Sequence, residues 1–259
     1  MDLSNSKIYV YSHTKDFPLR EYFDKNKQYE ILLKDEIQSR FINNDLQPSF
    51  NEPHGICYVW ENELYKDYDN VGFCHYRSYI DTDALNTEEK DYKLIVAEPL
   101  KFNVSLYEQW DQPREFLDIT LNLIYNYSWD IYWSAVCHIN RNVLYRRNHF
   151  IMPKEDFKEY ADFAFTIIKN FCRKYNWNTY DDVVKYCETH KKDFSLLNMK
   201  WRTNGEEWEY FKSVEYNCRT LAFIFERLTS IWISYRYKPE EILNAPLIIK
   251  ERCYQDYGK

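Results

Sequence analysis

Val71-Gly72-Phe73-Cys74-His75-Tyr76-Arg77-Ser78-Tyr79-Ile80-Asp81-Thr82-Asp83 is the stretch that decides the fold. It opens as an apolar strand after the polar turn Lys66 to Asn70, and Gly72 marks a place where a neighbouring backbone can come close. It then changes character. His75, Tyr76 and Arg77 put a titratable ring, a phenol and a fixed cation at the strand's carboxyl end, where ligands bind in open α/β sheets. Two acids, Asp81 and Asp83, follow. His75 and Arg77 therefore either make structural hydrogen bonds at a strand terminus or face a ligand.

The elements on either side alternate. Lys7 to Ser12 reads as a first strand that ends in Ser12, His13 and Thr14, and Tyr29 to Leu33 reads as a second. Ser12 or Thr14 either caps a turn or meets a nucleotide. Ile37 to Phe50 reads as loop. Asn51 is placed to cap a helix from Glu52 to about Tyr65, with Pro53 in its first turn. Leu94 to Ala97 is a further short strand. Strand, helix and strand in alternation predict an α/β sheet.

From Leu106 to Leu144 the chain reads as helical, with a break at Ser128 to Asp130; Tyr145 to Pro153 reads as a strand. The helix after it carries Phe157, Tyr160, Ala161, Ala164, Ile167, Ile168 and Phe171 at spacings of three and four, which makes them core. Thr179 to Asp193 is a further short helix and loop. Tyr216 to Tyr235 reads as one helix with Arg219, Glu226 and Arg227 inside it, charges that are costly there unless paired or used. Glu226 is either half of a buried salt bridge or a working carboxylate. Pro246 to Ile249 is a closing edge strand.

Composition narrows the function. With 45% hydrophobic residues and no repeat or Gly/Ser/Pro linker, the chain is expected to form a single domain over residues 1–259. Only four glycines are present and neither a Walker motif nor GxGxxG occurs, which removes the main support for P-loop and Rossmann readings. A net charge of −7 argues against nucleic acid as a partner. Seven cysteines without a CxxC pair fit buried thiols in a reducing compartment. Met1 to Lys7 lacks an apolar signal core, and Glu226 and Arg227 interrupt the apolar run Leu221 to Ile233. A cytoplasmic protein, at most peripheral to a membrane, is expected.

Several motifs match one family in order along nearly the whole chain. They are Tyr58-Val59-Trp60-Glu61-Asn62 after Glu52, Val71-Gly72-Phe73-Cys74-His75-Tyr76-Arg77-Ser78-Tyr79, Tyr107-Glu108-Gln109, Asn148 to Tyr160, and Arg219 to Ile233 with its Glu-Arg-Leu core. In these the sequence resembles bacterial capsule and exopolysaccharide glycosyltransferases long catalogued only as a domain of unknown function. It departs from them at Asn43 to Gln47, where the family's Asp-Asn-x-Gly-Asp-Asn-Ile-Ser loop is eroded, and at Ser78, where a second Arg is usual.

The resemblance implies a GT-A-like fold: a mixed, mainly parallel central sheet flanked by helices, with a helical C-terminal part. It implies transfer from a nucleotide sugar, UDP-galactofuranose or another UDP-hexose, to a growing glycan of capsule, exopolysaccharide or lipopolysaccharide, often lipid-linked, at the inner face of the membrane. By the same logic Tyr11, His13 and Thr14 meet the nucleotide, with His75 and Arg77 where many such enzymes place an Asp-x-Asp. Arg77 can neutralise the leaving diphosphate by paired hydrogen bonds. Asp81-Thr82-Asp83 is itself an Asp-x-Asp, suited to Mn²⁺ or Mg²⁺. Asn148 and His149 would face the donor or acceptor sugar. Glu226 is the candidate general base, with Arg219 or Arg227 orienting it or gripping phosphate. The competing reading is a carbohydrate- or nucleotide-binding subunit without turnover.

Overall fold

Strand β1 (Ser6–Ser12) is the axis of the fold, because its residues divide between two cores. Ile8 and Val10 enter one core with Cys74, Ile95 and Ile151. Tyr9 and Tyr11 enter the other with Val71, Phe73, Phe150 and Met152. The period-two alternation of a strand buried on both faces puts the side chains there. The computed structural model describes residues 1–42, 45–82, 85, 91–110, 112–145, 148–190 and 213–249.

After β1 the chain forms α1 (Arg20–Lys25) and β2 (Tyr29–Leu33), which pairs parallel to one side of β1. It then crosses through α2 (Gln47–Phe50) and α3 (Pro53–Glu61) and returns as β3 (Asn70–His75), parallel to the other side of β1. The strand order therefore reverses at β1, a topological switch point.

The turn Tyr76–Arg77 sends the chain back as the short antiparallel β4 (Ser78–Ile80). β5 (Leu94–Ala97) follows; β6 (Leu100–Lys101) and β7 (Val143–Leu144) form a separate two-stranded ribbon. Between them run α4 (Leu106–Gln109), α5 (Arg114–Tyr127) and α6 (Trp129–Ile139). Ser128 ends α5 and caps α6, its side chain accepting from the Ile131 N–H, which is the break expected there.

β8 (Phe150–Pro153) runs antiparallel to both β3 and β5. A Cβ at Gly72 would lie 2.8 Å from Ile151 Cγ1 and 3.0 Å from the Phe150 carbonyl oxygen, so only glycine lets β8 sit at this distance. α7 (Lys154–Tyr175) lays its apolar face across the sheet, with the whole expected set from Phe157 to Phe171 buried.

The C-terminal part is helical: α8 (Tyr180–Thr189), α9 (Val214–Asn217) and α10 (Thr220–Arg236). The single helix expected from Tyr216 to Tyr235 is thus two, broken at Cys218 and Arg219. β9 (Ile242–Ala245) adds parallel to β5, and β10 (Leu247–Ile249) closes the edge beside β4. The sheet is mixed, and its two longest pairings, β1 with β2 and β1 with β3, are parallel. Among the described residues no helix is long and apolar enough to cross a membrane.

Candidate active site

The carboxyl ends of β1 and β3 meet in register: Tyr11 stands beside His75. Both belong to the sheet face covered by α3. Gly55 makes that cover close, since a Cβ there would lie 3.0 Å from Tyr11 Cδ2. Pro53 starts the helix, and Glu52 immediately before it is held at φ −56° and ψ −39° with its side chain unused for capping.

That freed carboxylate turns to the strand end. Glu52 Oε1 is 3.1 Å from His75 Nε2. The other ring nitrogen of His75, Nδ1, accepts the backbone N–H of Arg77 at 3.3 Å. Both ring nitrogens of His75 are thereby engaged, Nε2 by the Glu52 carboxylate and Nδ1 by the Arg77 backbone, which fixes the orientation of the ring. Burial alone would raise the Glu52 pKa. The His75 hydrogen bond and charge, with the charge of Arg219, outweigh it and hold the carboxyl at about 2. Glu52 is therefore a permanent anion that orients His75.

Next to this pair the guanidinium of Arg77 lies 4.6 Å from the Tyr76 ring centroid, a cation–π contact. Tyr76 Oη is 3.2 Å from His13 Nε2. Burial, then the charges of Arg77 and His75, lower the His13 pKa, so this imidazole is held neutral beside the cation. Ser12 and Thr14 close the β1 end as a local turn. The Thr14 N–H donates to Ser12 Oγ at 3.2 Å, and Ser12 Oγ donates to the Thr14 carbonyl at 2.7 Å.

The structure thus brings together Tyr11, His13, Thr14, His75 and Arg77, with Arg219 reaching the group through its charge on Glu52. Other candidates sit elsewhere. His149 is 3% exposed and braces the β3–β4 turn: its Nε2 accepts the His75 N–H at 3.3 Å and lies 2.9 Å from Ser78 Oγ. Asn148, in the left-handed region at φ 51°, accepts from Thr229 Oγ1 at 2.7 Å and so ties the entry of β8 to α10. Arg227 donates to Gln109 of α4 and lies over Trp110, and its Nη1 is 3.8 Å from Glu226 Oε2. A Glu226–Arg227 pair therefore exists, beside α4.

Asp81, just after β4, is carried back along β3 to about the level of Gly72 and acts on Tyr22 by its charge. Thr82 Oγ1 donates to Gln28 Oε1 at 3.3 Å, and the Tyr29 hydroxyl donates to the Ile80 carbonyl at 2.9 Å, both at the amino end of β2. By strand rise that is about 10 Å from the level of His75. Asp83 lies outside the described residues. Among those residues no three His, Cys, Asp or Glu side chains gather as metal ligands.

Two features went unread in the sequence. The first is the pairing with His75 of Glu52, which the sequence marks only as the family's helix-start glutamate. The second is a group of buried polar atoms above Tyr11. Gln47 Nε2 donates to the Tyr11 hydroxyl at 2.6 Å, and the His54 ring packs edge-on to Tyr11 at 5.9 Å.

This mixed α/β architecture, with polar groups gathered at a β1/β3 switch point, is shared with a solved structure of a glycosyltransferase. The apo structure of the bifunctional glycosyltransferase WbbM matches 95% of this chain with a TM-score of 0.65 at 14% identity. The chain spans 45% of that protein's own length. No curated protein matches the sequence. The family described as Domain of unknown function (DUF4422) matches residues 23–190, and the chain belongs to that family.

Proposed function

We propose that this protein is a glycosyltransferase that moves a sugar from a nucleotide-sugar donor to a surface-glycan acceptor. The observation that carries this reading is the convergence of Tyr11, His13, Glu52, His75 and Arg77 at the carboxyl ends of two parallel strands where the strand order reverses. WbbM, a glycosyltransferase with the same fold, supports it. The resemblance adds UDP-galactofuranose or another UDP-hexose as donor. It adds capsule, exopolysaccharide or lipopolysaccharide, often lipid-linked, as acceptor, handled by a cytoplasmic protein at the inner face of the membrane.

In this reading Arg77 binds the diphosphate, where its fixed charge stabilises the leaving group as the bond to the anomeric carbon breaks. Glu52 is too acidic to take a proton near neutral pH, which makes it a poor general base. It keeps the His75 ring and, through Nδ1, the Arg77 backbone in place. The resemblance offers Glu226, on α10 two turns beyond Arg219 and paired with Arg227, as the base that would take the acceptor hydroxyl proton. No step of this reading is routed through a metal.

One observation favours the second reading, a nucleotide- or carbohydrate-binding module without turnover. Both His75 nitrogens are already engaged and Glu52 is held ionised, so the Glu52–His75 pair offers no base of its own. Thermal shifts against UDP, GDP, CMP and dTDP sugars, each with Mn²⁺ or with EDTA, followed by a transfer assay on the donor that binds, separate the two. Binding with transfer supports the enzyme. Binding with neither transfer nor donor hydrolysis supports the module, and no binding overturns both.

A further inference from the structure

Four buried polar atoms lie within eight residues of chain above the end of β1. Gln47 Oε1, Asn51 Nδ2, and both ring nitrogens of His54 hydrogen-bond to nothing in the protein. Gln47 is 4% exposed and His54 1%. An unsatisfied buried polar group is costly, and native proteins keep few of them. Finding them side by side needs a reason.

The backbone explains why they cluster. The Asn51 N–H donates to the Gln47 carbonyl at 3.0 Å, and the His54 N–H to the Asn51 carbonyl at 3.0 Å. Asn51 sits at φ 53° between α2 and α3, so the two short helices fold over Tyr11. Tyr11 is the shared neighbour: its hydroxyl takes the Gln47 amide, its ring edge meets His54, and its side chain fits against Gly55.

The group is uncharged. Burial, with the charge of Lys34 nearby, lowers the His54 pKa to about 4, so at neutral pH one ring nitrogen donates and the other accepts. Gln47 adds an acceptor and Asn51 a donor. Neutral donors and acceptors beside aromatic rings suit a flat, uncharged partner with a mixed hydrogen-bonding edge. Phosphate is suited by the cation Arg77, across the β1–β3 crevice.

We infer that Gln47 and His54, set against Tyr11, together with Asn51 between them in the chain, are the residues that read the nucleobase of the donor. The inference rests on the glycosyltransferase reading above and adds the determinant of base selectivity. On binding, the base edge supplies the partners that these buried atoms lack within the protein.

The test uses free nucleoside diphosphates (UDP, dTDP, CDP, GDP and ADP) titrated into the wild type and into Gln47→Met and His54→Phe. His54→Phe keeps a ring against Tyr11 and removes both unsatisfied nitrogens. Its melting temperature without ligand should hold or rise, because an apolar isostere replaces unpaired polar atoms. Its affinity for the preferred diphosphate should fall on the order of tenfold, and discrimination across the panel should shrink with it. Gln47→Met should show the same loss of discrimination, independently of how His54→Phe folds.

Variants that bind the panel as the wild type does would overturn the inference while leaving the glycosyltransferase reading intact. A wild type that binds no diphosphate would overturn both. A clear loss of stability without ligand in His54→Phe, at unchanged affinity, would make His54 a structural residue.

Discussion

The two ends of the β1–β3 pair are built on opposite principles. At the amino end, polar side chains close on the chain itself. Asn70 Nδ2 donates to the Asp2 carbonyl at 2.7 Å and to Ser6 Oγ at 3.2 Å. Gln28 Nε2 donates to the Leu3 carbonyl at 3.0 Å, and its Oε1 accepts from Thr82. At the carboxyl end an anion and a cation are fixed in place, and Gln47, Asn51 and His54 keep atoms that the protein leaves unbonded. The contrast separates polar residues that hold the fold from polar residues that await a partner. Loss of the second kind should cost activity more than stability, and loss of the first the reverse.

The largest expected effect is on turnover at the carboxyl end. Arg77→Ala should cut transfer by about 10² to 10³-fold, the usual cost of losing a charge-stabilising donor, with little change in melting temperature. Initial rates alongside thermal melts check this, and an unfolded variant would reassign Arg77 to the fold. Glu226→Gln should abolish transfer while donor affinity, read by titration, stays as in the wild type; unchanged transfer would end its assignment as base.

At the amino end the sign reverses. Asn70→Ala leaves buried partners unpaired and should destabilise the fold by about 1–3 kcal/mol in denaturant titrations, with turnover per folded molecule unchanged.

A smaller effect follows from Glu52. Its folded pKa is held at about 2, below the unfolded value of 4.5. Its contribution to stability is therefore complete above pH 4.5 and is lost as pH falls from there toward 2. Glu52→Gln should flatten the stability profile in that window; a profile identical to the wild type would break the Glu52–His75 pairing.

The smallest effect belongs to Asp81→Asn, just after β4. It should change stability by no more than about 0.5 kcal/mol and leave transfer intact, with or without EDTA. A large loss that Mn²⁺ restores would support the Asp81–Asp83 tripeptide as a metal site.

The sequence pattern revealed the strands of this comparison better than their neighbours. β1 and β3 announce themselves as apolar runs ending in polar residues, and α7 as a regular apolar stripe, because local periodicity encodes them. Asp81 looked close to His75 because only six positions separate them. The turn at Tyr76–Arg77 reverses the chain, and β4 carries Asp81 back toward the amino ends, a tertiary event that no spacing rule contains. The pairing of Glu52 was hidden for the converse reason, since 23 positions separate the residue from its partner His75. The break between α9 and α10 falls at Cys218 and Arg219, where neither glycine nor proline marks it. The Asn51 position, read as a helix cap, is instead the left-handed residue that turns α2 into α3.

Gly72 carries a consequence for how this chain can vary. Every other residue type brings a Cβ into contact with the Phe150 backbone and the Ile151 side chain, and the backbone oxygen cannot step aside cheaply. In a saturation library selected for folded protein, position 72 should accept glycine alone, while Phe73 beside it tolerates other large apolar residues. The single codon that permits β8 to approach also sets how near His149 stands to the turn it braces. A mutational map would therefore register the geometry of the site at a residue that touches no ligand.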